Sequence, residues 1–177
     1  NIDSWATYAR TLSLSKREAQ IEVSTKVVGI DNNANDKLAI EVAILNPKGY
    51  EEIAGHADVP ANGVVTLPLT MKKPQAWSPE NPFLYNLEVR LYKNNKVVDK
   101  TTQKLGVRTV SVSKENGFQL NGATRKIKGV CLHHDLGPLG AAVNKAALIR
   151  QIKLMKDMGA DAIRTSHNMP SQMQMDL

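Results

Sequence analysis

Three of the four histidines of this 177-residue chain lie in its last third. His133 and His134 stand directly before Asp135, and Arg164 follows His133 by 31 positions, with His167 just beyond. Imidazole donates and accepts hydrogen bonds and changes charge near neutral pH, carboxylate accepts, and guanidinium donates through a rigid fork. Converging, they would make a polar binding site. A His-His-Asp cluster with a distant histidine also matches zinc or iron ligands. That reading is disfavoured, because adjacent strand residues point to opposite faces and His133 and His134 would diverge. His134 alone is more simply a hydrogen-bonded structural residue, and Arg164 could do no more than pair with Asp135.

The elements that must position these groups are strand, helix, strand. Lys126–Leu132 has the apolar content of a buried strand. A loop from His133 to Val143 follows, broken by Gly137-Pro138-Leu139-Gly140. Asn144 is a good N-cap, and Leu148, Ile149, Ile152, Met155 and Met158 fall at helical spacing. Gly159 suits the C′ position, with Lys153 and Lys156 near the helix C-terminus. Ala160–Thr165 is a second strand, and Pro170-Ser171 could begin another helix. Strands joined by a helical crossover are parallel. Their C-terminal ends then lie side by side, where (β/α)₈ barrels bind ligands. Cys131 is expected as a small core residue, and the methionines as helix packing.

From Thr11 to about Ser113 the period is two. Ile21, Val23, Thr25 and Val27 alternate with polar neighbours, as do Leu38–Ile44 and Tyr85–Leu91. Further short strands are expected around Val64–Leu69, Val97–Thr101 and Lys104–Val110. Turn formers separate the runs: Asp31-Asn32-Asn33, Asn46-Pro47-Lys48-Gly49, Ala61-Asn62-Gly63 and Lys93-Asn94-Asn95. About seven short strands in roughly 100 residues predict an immunoglobulin-like antiparallel β-sandwich. The expected fold class is mainly β: this sandwich over residues 1–112, then the first βαβ unit of a truncated (β/α)₈ TIM barrel over 113–177. A complete barrel needs roughly 250 residues. Trp77 is expected to pin a sandwich edge in preference to stacking a sugar.

Composition excludes several classes. No apolar run approaches the roughly 18 residues of a membrane-spanning helix. One cysteine permits no internal disulfide and no paired-cysteine zinc motif. The net charge of +6 is spread thinly, and its densest stretch, Arg125-Lys126-Ile127-Lys128, has no aromatic partner. Nucleic-acid binders usually concentrate charge and add stacking aromatics, so no nucleic-acid or membrane partner is expected. The N-terminus lacks both a signal-peptide pattern and a starting Met, and the chain is expected to be cut from a longer one.

Several ordered segments resemble the glycoside hydrolase family 2 enzymes, the β-galactosidases, β-glucuronidases and β-mannosidases. Trp77-Ser78-Pro79-Glu80-Asn81-Pro82-Phe83-Leu84-Tyr85 is similar to that family's WSPExPxLY stretch, and Leu105-Gly106-Val107-Arg108 to its GFR turn. Phe118-Gln119-Leu120-Asn121-Gly122, Lys128-Gly129-Val130 and His133 resemble its FxLNG…KGxxxH entry to the barrel. Arg164-Thr165-Ser166-His167-Asn168-Met169-Pro170 resembles its RxSHYP signature, with Asn168 in the tyrosine's place.

The resemblance implies a sugar-binding domain upstream, then this sandwich, then a catalytic barrel. It implies a retaining glycosidase whose paired carboxylates are both Glu on later strands. No Glu follows Glu115, and Asp157 and Asp161 cannot serve with Asp135 as that pair. No catalytic residue is therefore expected before Leu177. The resemblance implies sugar contacts from His133, Arg164 and His167, with Asp135 beside them. It implies a β-linked sugar, with β-galactoside preferred from the Gly129–Gly140 opening, and the rest of the same polypeptide as partner. No cofactor or metal site is expected in this segment; a divalent cation elsewhere in the parent and a homo-oligomer are left open. Polysaccharide-degrading relatives favour a periplasmic or secreted home slightly over a cytoplasmic one. The other readings are a carbohydrate- or protein-binding immunoglobulin-like module and a structural spacer.

Overall fold

A computed structural model describes residues 1–30 and 36–177 and divides them into two compact units, Asn1–Ala123 and Thr124–Leu177. The expected turn at Asp31-Asn32-Asn33 lies outside the described residues. In the first unit the strands are β1 (Tyr8–Leu14), β2 (Glu18–Lys26), β3 (Leu38–Leu45), β4 (Glu51–Asp58), β5 (Val64–Lys72), β6 (Tyr85–Lys93) and β7 (Lys96–Leu105). They form two antiparallel sheets, ordered β1-β2-β5 and β4-β3-β6-β7.

The period-two pattern explains the layering. Ile21 and Val23 of β2, Ile40, Val42 and Ile44 of β3, and Leu87 and Val89 of β6 are all 1% exposed or less. They join Val65, Leu67, Leu69 and Met71 of β5 in one core. Thr25 occupies an inward position too, and its hydroxyl is 2.9 Å from that of Thr7, so the buried oxygen is partnered.

Turn chemistry sets the registers. Asn94 and Asn95 both take positive φ, 51° and 63°, as a two-residue type I′ hairpin requires between β6 and β7. At Asn46-Pro47-Lys48-Gly49, Asn46 Oδ1 accepts from the amides of Lys48 and Tyr50. At Gly63, φ is 73°, and a Cβ there would lie 2.3 Å from the Val27 carbonyl oxygen. Only glycine fits.

One expectation about the strands is corrected, and β1 and β4 were not singled out from sequence. Val97–Thr101 and Lys104–Val110 are not two strands; β7 runs unbroken through Lys96–Leu105, and β8 (Val110–Ser113) follows separately. A bulge between Leu91 and Tyr92 restores pairing after the hairpin, so β6 holds β7 along its whole length. Strand β4 had no clear alternation, because its inward residues are Ile53, Gly55 and Ala57. Gly55 is small for a reason across the sandwich: a Cβ there would meet Leu69 Cδ2 at 2.7 Å. The period-two region expected from Thr11 begins earlier, with β1 at Tyr8.

The outer face of the four-stranded sheet carries a charge ladder. Arg90 bridges Glu41 at 2.5 Å and Glu88, and Lys100 reaches Glu88 at 2.6 Å. Burial would raise the Glu88 carboxyl, but hydrogen bonds from Lys100 and Arg90 outweigh it and hold the group below its ordinary range.

The family-like stretches at Trp77, Gly106 and Asn121 pack together. The Trp77 amide donates to the Val107 carbonyl at 2.9 Å, and the Arg108 guanidinium lies 4.4 Å from the indole centroid. A Cβ on Gly106 would sit 3.0 Å from Trp77 Cγ, so the glycine lets the ring lie close. Asn121 Nδ2 donates to the Trp77 carbonyl and Asn121 Oδ1 accepts from the Thr109 amide, both at 3.0 Å. Trp77 thus pins the edge of the sandwich. Asn121 and Gly122, φ 52° and 79°, turn β9 (Gly117–Leu120) into the short β10 (Ala123–Thr124). The β10-β9-β8 sheet carries the chain to the end of the first unit. The boundary expected after residue 112 falls inside β8.

In the second unit β11 (Gly129–Cys131) and β12 (Ala162–Arg164) flank α1 (Lys145–Asp157), and a short α2 (Gln172–Asp176) follows. The strands pair in parallel, Gly129 with Ala162, Val130 with Ile163 and Cys131 with Arg164. Asn144 caps α1 by accepting from the Ala147 amide at 3.0 Å. Gly159, φ 90°, ends it in a Schellman motif: its amide bonds the Lys156 carbonyl, and that of Ala160 bonds the Met155 carbonyl. Ser171 caps α2.

Packing here is thinner than the sequence suggests. The strand expected over Lys126–Leu132 shrinks to three residues, and Cys131 is exposed, not core. Two short strands give each residue one neighbouring strand and little cover. Met158 is 69% exposed because the helix stops one residue earlier, and Met169 and Met175 are exposed too, so helix packing does not describe them.

Two substitutions test the sandwich. Leu87→Ala should lose about 2–5 kcal/mol and Gly55→Ala about 1–3 kcal/mol in urea unfolding, by cavity and by overpacking respectively. A neutral result at both positions would show that these sheets do not pack as described.

Candidate functional site

The site of the second unit begins where the two strands end. The Leu132 amide donates to the Arg164 carbonyl at 2.9 Å, extending the ladder one step past Cys131. Beyond it both chains leave the sheet on the same side. His133 and His167 thereby meet: their ring centroids are 5.9 Å apart with planes at 68°, an edge-to-face arrangement. Residues 34 apart in sequence become neighbours, as parallel strands require.

His133 and His134 were expected to diverge to opposite faces. The strand stops at Cys131, so alternation no longer governs them, and both line the same two hollows. The larger, about 290 Å³ and open to solvent, lies among His133, His134, Asp135, Leu148 and Gln151. The smaller is bounded by the same two histidines with Thr165, Asn168 and Met169.

Asp135 shares the first hollow, but its carboxylate turns back on its own loop and accepts from the Gly137 amide at 2.8 Å. It does so in place of the pairing with Arg164 that was considered from sequence. The fold thus gives Asp135 a loop-shaping contact. Arg164 ends β12 opposite Cys131 and is exposed. Of the four residues expected to touch a sugar, His133 and His167 are brought into ring contact, and Asp135 lines a hollow with His133.

Gln151 was missed in sequence. It projects from α1 into the hollow, and its Nε2 donates to the Asp135 carbonyl at 3.3 Å. The available signal was its position one turn after Leu148, on the face that packs against the strand end.

The opposite end of the strands is anchored by charge. Asp161 Oδ2 pairs with Arg125 at 2.9 Å, and Oδ1 accepts from the Lys128 amide at 2.8 Å. The Arg125 hydrogen bond, helped by the Lys128 amide, holds the Asp161 carboxyl below the ordinary aspartate range. The carboxylate aligns the starts of β11 and β12, leaving the far ends free for other chemistry.

A sandwich followed by a βαβ unit with polar residues at its strand ends fits an enzyme assembled around a barrel. Residues 3–108 match the profile of Glycosyl hydrolases family 2, and residues 110–177 match that family's TIM barrel domain, so the chain belongs to glycosyl hydrolase family 2. It is 36% identical to the β-galactosidase BoGH2A of Bacteroides ovatus over all of its length, covering 21% of that protein. It is 38% identical to a β-glucuronidase of Bacteroides fragilis over 57% of its length, covering 15% of that enzyme. A family 2 member from Bacteroides cellulosilyticus superposes with a TM-score of 0.87 at 34% identity over 99% of this chain and 24% of that one. The chain therefore spans between 15% and 24% of the length of these three proteins. The immunoglobulin-like sandwich and the opening of a TIM barrel are the corresponding parts.

The strand-start clamp has a defined pH signature. Asp161's folded-state pKa is lowered, so its stabilising effect is complete above the ordinary aspartate value near ~4 and is lost as pH falls through the lowered one. Hydrogen-exchange protection at the Lys128 amide should fall over that acidic window in the native chain. In Asp161→Asn, protection should be weaker at neutral pH and nearly flat with acidification; an unchanged profile would remove the clamp.

Proposed function

We propose that this chain is the sandwich and barrel opening of a retaining β-glycosidase, and that its strand ends orient the sugar. The observation that carries this reading is the meeting of His133 and His167 at the C-terminal ends of parallel strands in a chain of this family. Two imidazoles edge to face present N–H and lone-pair groups that suit neighbouring hydroxyls of one pyranose. Arg164 adds a permanent cation at the same strand end, and Asp135 shapes the loop that bounds the hollow.

A retaining enzyme protonates the glycosidic oxygen, forms a glycosyl ester and hydrolyses it, using two carboxyl groups about 5 Å apart. The residues argued above supply binding, not that pair. A β-galactoside is the preferred substrate, supported by similarity to BoGH2A along the whole chain. A β-glucuronide is the second reading, supported by similarity to the Bacteroides fragilis enzyme. Salt separates the two: a uronate carboxylate gripped by Arg164 would bind less tightly as ionic strength rises, and a neutral galactoside would not.

The test is NMR titration of the labelled chain with methyl β-galactoside and with methyl β-glucuronide, followed at the imidazole protons. Saturable shifts at His133 and His167 are expected with the galactoside, weakened on the order of tenfold by His167→Ala, a loss worth about 1.4 kcal/mol. No hydrolysis of an aryl β-galactoside is expected from the 177-residue chain. Turnover by the pure chain would overturn the assignment of binding without catalysis, and the absence of shifts with either sugar would overturn the sugar site.

A further inference from the structure

Ser166 stands between the last residue of β12 and His167 in an unusual backbone state. Its φ is 53°. Of the five non-glycine residues with positive φ among the described residues, three are asparagines, which tolerate that region. Serine does not share their tolerance, and an L side chain there crowds the following carbonyl. The Asn168 amide donates to the Thr165 carbonyl at 3.2 Å, which makes Ser166 the second residue of a four-residue turn. Positive φ at that position alone is the pattern of II′ turns, where glycine is the usual occupant. A second observation concerns the side chain: Ser166 Oγ is buried and has no hydrogen-bond partner. Neither the backbone nor the hydroxyl is in a comfortable state, and such outliers gather where a structure needs a particular geometry.

What the turn accomplishes is visible in the next residue. Thr165 continues from β12, and the chain reverses direction within the four residues Thr165–Asn168. His167 leaves that reversal with its ring against His133. Continued extended backbone at Ser166 would carry His167 onward along the strand direction and away from the loop that holds His133.

We propose that Ser166 is a positioning residue of this site, acting through its left-handed backbone to set the His167 ring against His133, and not through its hydroxyl. The consequence for sugar recognition rests on the reading of the two histidines as sugar contacts; the ring geometry itself does not.

Substitutions that separate backbone from hydroxyl test this. The probe is the ring-to-ring nuclear Overhauser effect and the ring-current shifts of the His133 and His167 imidazole protons in the full labelled chain, followed by titration with methyl β-galactoside. Ser166→Ala removes the hydroxyl and should keep the ring contact. Ser166→Asn and Ser166→Gly accept positive φ and should keep it as well. Ser166→Val, β-branched and averse to positive φ, should abolish the contact and weaken sugar binding on the order of tenfold or more. Amide protection along α1 and at Leu132 shows whether the Val variant remains folded; if it does not, Ser166→Thr takes its place with a smaller expected loss. Loss of the contact in Ser166→Ala, or its persistence in a folded Val or Thr variant, would overturn the proposal. Absence of the contact in the native chain would do the same. A native chain that shows the ring contact but binds no sugar would overturn the sugar-site reading and leave the role of Ser166 standing.

Discussion

Parallel pairing of β11 with β12 is the constraint on which the site depends. Three register pairs and two further backbone hydrogen bonds, Leu132 to the Arg164 carbonyl and Asp161 to the Lys128 carbonyl, hold the two strands. Because the strands run the same way, both leave the sheet at the same end, and their next residues share one neighbourhood. The Asp161 clamp fixes the other end through Arg125 and the Lys128 amide. Helix α1 closes the crossover between them, entered at Asn144 and left at Gly159. With both strand starts tied and the crossover capped, the ladder fixes the relative height of Leu132 and Arg164, from which the two histidine-bearing segments leave the sheet.

The sandwich solves a different problem. Seven strands bury one continuous apolar core, and the Asn94-Asn95 hairpin, with both asparagines at positive φ, sets the register of β6 and β7. On the outer face of the larger sheet, Glu88 is only 7% exposed, yet it remains charged because Arg90 and Lys100 surround it. Removing one partner from such a cluster leaves an uncompensated charge, so the ladder constrains which side chains that face can hold.

The packing around Trp77 gives a physical reason for three separate family-like stretches. The Trp77 ring lies close against Gly106, where a Cβ would meet both the ring and the Arg108 guanidinium, and that guanidinium stacks over the ring. Asn121 then ties the following hairpin to the Trp77 carbonyl. Residues from positions 77, 106–108 and 121 meet in one cluster at the end of the sandwich unit. Each fragment is short, and their dependence on one another lies in this contact.

Much of this was legible in the sequence for local reasons. Alternating Ile and Val mark strands because each strand has one wet and one dry face. Asn144 and Gly159 mark the ends of α1 because backbone groups there need a cap and a left-handed residue. The crossover predicts parallel strands, and parallel strands predict that His133 and His167 approach each other. Other features depended on partners distant in the chain. Gly55 makes sense only opposite Leu69, so β4 carried no alternation to read. Cys131 looks like core by composition, and only the thin two-stranded sheet leaves it exposed. His133 and His134 share their hollows because the strand ends at Cys131, a length set by pairing with β12. Asp135 turns to the Gly137 amide, and Ser166 takes a left-handed turn that no serine announces. Composition and period determined which elements form and how they are joined, because those are properties of neighbouring residues. The tertiary structure decided which side chains share a hollow and which way each one faces, because that depends on atoms brought together from separate stretches of chain.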